Sequence, residues 1–136
     1  HSILYDRRVR LESVPNALEQ ARSAAASVCG LIKPNHAVPW FWSDLYDLKL
    51  QLAGLSQGHD ECVVRGDFSK RSFCAFYLRD RRLLAVDAVN RPAEFMLARR
   101  VLAQRPEVDS GRLVDESIPL KEQLAGTPAP ALTGKP

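Results

Sequence analysis

The 136-residue chain is of single-domain size, and its 46% hydrophobic, 26% charged and 7% aromatic composition excludes a disordered or fibrous protein. Its 19 Lys and Arg against 16 Asp and Glu leave a net charge of +3, too weak to point to nucleic acid but compatible with an acidic protein partner. No apolar run approaches the roughly 20 residues of a membrane helix, and no secretory signal opens the chain.

The chain begins without Met inside a charged segment, so it reads as a piece of a longer protein. Val9 to Ser13 reads as the end of a strand that turns sharply into a helix. Pro15 suits a first helical turn, and Asn16 with Glu19 three residues on forms a capping-box-like pair. The helix runs through an Ala-rich stretch to Gly30, a C-terminal stop. Leu18, Ala21, Ala25 and Val28 share one face, small enough for close packing.

Leu31 to Val38 is a connector. Pro39 to Asp44 places both tryptophans, Trp40 and Trp42, around Phe41, in a segment too short and polar-flanked for a core strand. Leu45 to Leu55 reads as a strand, with Leu48, Leu50 and Leu52 alternating with Lys49 and Gln51. Cys62 to Gly66, Ser72 to Arg79 and Arg82 to Val89 follow as strands of an antiparallel meander. Asn90 is a candidate N-cap for a helix from Arg91 to about Arg105, with Phe95, Ala98, Val101 and Leu102 on one face. Leu113 to Leu124 holds a turn and a short final helix. The Pro- and Gly-rich residues 126–136 read as a disordered tail. The resulting fold class is α+β, an antiparallel sheet of about four to five strands with a preceding helix and C-terminal helices.

Cys29, Cys62 and Cys74 form no CxxC pair and no metal spacing, so no metal site is expected. They read as reduced, mostly buried thiols of a cytoplasmic protein, with a Cys62–Cys74 disulfide between neighbouring strands as the alternative. His36 and His59 stand alone. No GxGxxG phosphate-binding fingerprint occurs.

Several strings occur in a telling order. Arg10-Leu11-Glu12-Ser13-Val14-Pro15-Asn16-Ala17-Leu18-Glu19-Gln20-Ala21 precedes Pro39-Trp40-Phe41-Trp42-Ser43-Asp44. Asp47 to Gln51, Ala53 to Leu55, Val64 to Gly66, Phe76 to Leu78, Ala85 to Pro92 and Asp115 to Lys121 follow. From about Arg7 to Lys121 the chain resembles the C-terminal part of FAD-dependent NAD(P)H:ferredoxin reductases that serve oxygenases, the putidaredoxin and rubredoxin reductase family. The resemblance implies residues 1–30 as the last strand and helix of an FAD-binding domain and 31–125 as the C-terminal reductase domain.

It also implies cofactors and partners: FAD, NAD(P)H as electron donor, a [2Fe–2S] ferredoxin or rubredoxin as acceptor, and the remainder of the reductase chain. No catalytic side chain is expected within this piece, which alone should be inactive. Val14 to Ala17 open a helix whose N–H groups and partial positive charge suit a flavin carbonyl, or form an ordinary capped helix end. Glu12, Val14, Asn16, Ala17, Trp40 and Trp42 are therefore candidate cofactor-binding residues. Glu12 equally suits an ion pair with Arg10 or a helix Arg. Trp42 is the better candidate to lie near flavin and acceptor, while Trp40 contacts flavin through its backbone or simply packs. Both could also be core anchors. Arg22 and Lys49, with Arg7 and Arg8, could ring Trp42 and steer an acidic ferredoxin, so Arg22, Trp42 and Lys49 are candidate docking residues; solvated charged faces are the plain alternative. Asp44 suits a turn cap. Family members often carry Gln where this chain has Leu45. Two other readings are a non-catalytic dimerisation or docking module, giving a homodimer, and a flavoprotein with another acceptor, such as a monodehydroascorbate reductase or an apoptosis-inducing-factor-like oxidase.

Overall fold

A computed structural model describes Ser2 and residues 4–126 of the chain. Helix α1 (Val14–Val28) leads into five strands, β1 (Trp40–Leu45), β2 (Leu48–Gly54), β3 (Glu61–Asp67), β4 (Ser72–Arg79) and β5 (Arg82–Val89). Helix α2 (Pro92–Leu102) and the short helices α3 (Ser110–Leu113) and α4 (Leu120–Gln123) follow. The strands form one antiparallel sheet in the order β1-β2-β5-β4-β3, as the expected α+β class requires.

The two most apolar strands take the middle. β4 (SFCAFYLR) and β5 (RLLAVDAV) are joined by Asp80-Arg81, both at positive φ (51° and 61°), the backbone that lets a two-residue turn match the strand twist. Directly opposed residues share a face, so Val63, Phe76, Val86 and Ala53 line up across β3, β4, β5 and β2. Helix α2 covers that row with Phe95, Ala98 and Leu102, all fully buried, and Leu113, Leu120 and Leu124 close the core from the C-terminal segment. The opposite face carries Leu48, Leu50, Leu52 and Val89, half-buried, with Phe41 and Leu45 exposed at its edge.

Gly54 ends β2 at φ +82°, where an added Cβ would lie 2.5 Å from the Leu84 carbonyl oxygen. Only glycine lets the strand approach β5 that closely.

Several expectations are corrected. Residues 9–13 form no strand here. The N-cap of α1 is Ser13, whose Oγ accepts from the Asn16 N–H at 3.3 Å, while Asn16 Nδ2 donates back to the Leu11 carbonyl at 2.8 Å. A hydroxyl one residue before the helix has the extended backbone that capping needs, and Asn16 already lies inside the first turn. The apolar face of α1 does not pack: Leu18, Ala21, Ala25 and Val28 are exposed, and Pro15 is the helix's one buried residue.

The predicted strand Leu45–Leu55 is two strands, broken at Tyr46-Asp47 with Tyr46 at φ 54°. Trp40 to Asp44 lie in an edge strand, in keeping with a segment too polar-flanked for a core strand. Asn90 does not cap α2. It sits at φ 55°, accepts from the Lys49 N–H at 2.9 Å and donates to the Arg71 carbonyl at 3.0 Å, tying two hairpin turns together. Arg91 takes the cap position, and α2 ends at Leu102, with the turn bonds Gln104 N–H to Val101 and Arg105 N–H to Leu102 leading to Pro106. The disulfide fails on register: Cys62 opposes Tyr77 and Cys74 opposes Arg65, with all three thiols free and only Cys74 buried. Of the predicted tail, Gly126 packs against the Glu107 backbone; residues 127–136 lie outside the described residues.

Candidate functional site

β1 is an edge strand, and its alternation sends Trp40, Trp42 and Asp44 to the face that α2 covers, with Phe41 to the other. α2 reaches far enough to shelter Trp40 but not Trp42. The Trp40 ring lies 6.4 Å from that of Phe95, tilted by 46°, and the Arg99 guanidinium sits 4.1 Å above its centre. Trp42 stacks on Trp40 at 5.3 Å with an interplanar angle of 29° and remains 40% exposed. Buried core, half-buried indole and exposed indole thus form one continuous aromatic ladder leading to the surface.

Charges of both signs border the ladder. Lys49 opposes Asp44 across the β1–β2 pair, with Nζ 3.5 Å from the carboxylate. Asp44 is therefore an ion-pair partner rather than a turn cap. Helix α1 rests on β1 and carries Glu19 paired with Arg22. Burial pulls the Arg99 guanidinium below its usual pKa, and Glu19 opposes that shift from α1. Arg7 hydrogen-bonds Gln57. Arg22 and Lys49 thus each bring an acidic neighbour, Glu19 and Asp44.

The start of α1 is less open than its sequence suggests. Pro15 has no N–H, Asn16 donates to Ser13 Oγ, and Ala17 donates to the Ser13 carbonyl at 3.0 Å. The Val14 side chain beside them is exposed. Glu12 is exposed and pairs with Arg10 at 2.7 Å.

Two arginines that sequence reasoning did not single out hold the framework. Arg65 is 3% exposed and donates to Glu94 at 3.1 Å and to the carbonyls of Leu113, Asp115 and Ile118 at 3.1, 2.6 and 3.0 Å. It pins the loop between α3 and α4 to the sheet. Arg91 joins Glu94, Glu116 and Ser72. Arg99, the other omission, lies four residues after Phe95 and so on the same helix face, a spacing that could have found it.

On the opposite side of the sheet the Tyr77 hydroxyl donates to Asp87 at 2.9 Å. Burial pushes the Asp87 carboxyl above its usual range and, with Asp87 alongside, the Tyr77 hydroxyl up to about 12. No cluster of metal-ligating side chains exists among the described residues, and none of their helices is long and apolar enough to cross a membrane.

A family model described as "Reductase C-terminal" matches residues 40–124, from the first tryptophan of the ladder to the end of α4. The chain belongs to this reductase C-terminal family. The domain is 52% identical over 129 residues to putidaredoxin reductase CamA of Pseudomonas putida, covering 95% of this chain and 31% of that protein. It is 50% identical to the ferredoxin reductase subunit of 5,5'-dehydrodivanillate O-demethylase of Sphingobium sp., covering 88% and 29%. Among solved structures it is similar to the reductase in the covalent putidaredoxin reductase–putidaredoxin complex, with a TM-score of 0.85, 53% identity, and 92% and 30% of the two chains covered. This reductase C-terminal domain thus spans about a third of the length of the curated relatives it matches.

Proposed function

We propose that this domain works within an FAD-dependent reductase that passes electrons from NAD(P)H through FAD to a [2Fe–2S] ferredoxin or rubredoxin, in the cytoplasm. Its part is to cover the flavin and dock the acceptor, and residues 31–125 form that unit, with residues 1–30 ending the FAD-binding domain. The carrying observation is Trp42: an exposed indole held on a half-buried partner, at a charged sheet edge. A rigid aromatic plate ringed by charges is the anatomy of a protein-docking anchor. Similarity to a reductase solved in complex with putidaredoxin supports the choice of acceptor.

The residues present fit a flavin. The α1 N-terminus offers the Val14 N–H and the positive end of the helix dipole, which Asn16 and Ala17 set in place through their bonds to Ser13. Glu12, Trp40 and Trp42 complete the proposed cofactor edge, the indoles excluding water. FAD, when bound, supplies the conversion of hydride transfer into single-electron transfer. Arg22 and Lys49 attract an acidic acceptor, while Glu19 and Asp44 hold them in place and temper the attraction.

The test is a titration of this chain with an oxidised [2Fe–2S] ferredoxin, followed by tryptophan emission. Saturable quenching that weakens with added salt supports the reading, and no quenching at any salt concentration refutes it.

A homodimerisation module is the second reading, favoured by the exposed Leu18, Val28, Phe41 and Leu45. The same surfaces suit contact with the remainder of a reductase chain. Light scattering decides: a stable dimer supports the second reading and a monomer removes it.

A further inference from the structure

Trp40 is held from three sides. Phe95 tilts against it at 6.4 Å, Trp42 stacks on it at 5.3 Å, and the Arg99 guanidinium covers it at 4.1 Å. Phe95 is fully buried in the core, so it fixes the inner edge. Trp42 is exposed and on an edge strand, with no neighbouring strand beyond β1 to constrain its side chain. Stacking on Trp40 constrains the plane of Trp42, and Arg99, together with Phe95, constrains that of Trp40. A guanidinium suits this because it is flat, stacks on an indole face, and is attracted to the negative charge of that face. Glu19 on α1 acts electrostatically on Arg99 and also pairs with Arg22. One charge chain thus links the helix carrying Arg22 to the ladder carrying Trp42.

We propose that Arg99 is a positioning residue for acceptor docking: it clamps Trp40 and so fixes the plane of the exposed Trp42 indole. The inference rests on the docking role of Trp42 proposed above. Arg99 itself touches no acceptor, and acts through the stack.

The chain has two tryptophans, both in the ladder, so its tryptophan signals report on this geometry alone. Stacked indoles give a coupled circular dichroism signal that vanishes when they move apart. Arg99→Met keeps the apolar stem and removes the charged plane, whereas Arg99→Lys keeps the charge and removes the plane. Arg99→Met should lose the coupled signal, shift tryptophan emission to the red, and weaken binding of a [2Fe–2S] ferredoxin roughly three- to tenfold. Arg99→Lys should recover part of both effects. A control is Trp42→Ala, which should weaken ferredoxin binding at least as much as Arg99→Met.

Retention of the coupled signal in Arg99→Met overturns the clamp. Unchanged ferredoxin affinity in Arg99→Met, with Trp42→Ala still impaired, overturns the docking role of Arg99 and leaves Trp42 standing. Unchanged affinity in Trp42→Ala sinks the docking reading itself, and the role of Arg99 in it.

Discussion

The Arg65 guanidinium and the Ile118 carbonyl lie 3.0 Å apart, joining β3 to a loop 53 residues further on. The same buried guanidinium also satisfies Leu113, Asp115 and Glu94. Removing it strips a buried donor from all four groups at once, leaving Arg91 on Glu94 and Gln123 on the Asp115 and Ile118 carbonyls. Arg65→Met should therefore cost about 3–5 kcal/mol in urea unfolding. Arg65→Lys should cost nearly as much, because an ammonium cannot reach four acceptors spread around a planar fork. A loss under 1 kcal/mol in either variant would show that the clamp contributes little.

Asn90 offers a separate test of the turn geometry. Asn90→Ala and Asn90→Gly both lose the bonds to Lys49 and Arg71, but only Ala adds strain at φ 55°. Asn90→Ala should be the less stable of the two by about 1 kcal/mol by thermal or urea unfolding.

Gly54→Ala should cost about 3 kcal/mol or more, since its φ of +82° is strained for alanine and its Cβ would overlap the Leu84 carbonyl at 2.5 Å. Urea unfolding measures it directly. An unchanged midpoint would mean that β2 and β5 lie farther apart at this point.

Asp87 predicts a pH dependence. Its folded pKa lies above the ordinary value of 3.8 because burial disfavours the carboxylate. Between those two pKa values the folded state binds more protons than the unfolded state, so this group's contribution to stability falls as pH rises. Above the folded pKa the penalty is complete; below 3.8 it is absent. Asp87→Asn should thus gain stability relative to the parent near pH 7 and lose that gain toward pH 3. Tyr77→Phe, which removes the hydroxyl donating to Asp87, should deepen the penalty at pH 7. Denaturant unfolding across pH 3–8 reads both.

Much of this fold was legible because its signals are local. The alternation in Leu48, Leu50 and Leu52, the apolar density of Ser72–Val89 and the i, i+3, i+7 spacing of Phe95, Ala98 and Leu102 fix the strands and the main helix. What escaped depends on distant partners. Asn90 looks like a helix cap in sequence because nothing nearby reveals Lys49 and Arg71, which claim its side chain. Arg65 looks like any strand arginine until the loop at 113–118 wraps over it. The Trp segment was legible as chemistry but not as geometry. An edge strand was needed to place Trp40 and Trp42 on one face, and α2 to bury the first and spare the second.

The most direct test of the docking role compares two activities of the proposed FAD-containing reductase, with Trp42 and with Trp42→Ala. One is NADH-driven reduction of ferricyanide, which needs no protein docking. The other is NADH-driven reduction of a [2Fe–2S] ferredoxin. An acceptor-docking Trp42 predicts a KM for ferredoxin raised about tenfold or more, well beyond any change in ferricyanide reduction, in line with the loss of an aromatic anchor. Equal losses in both activities, or none in either, would contradict it.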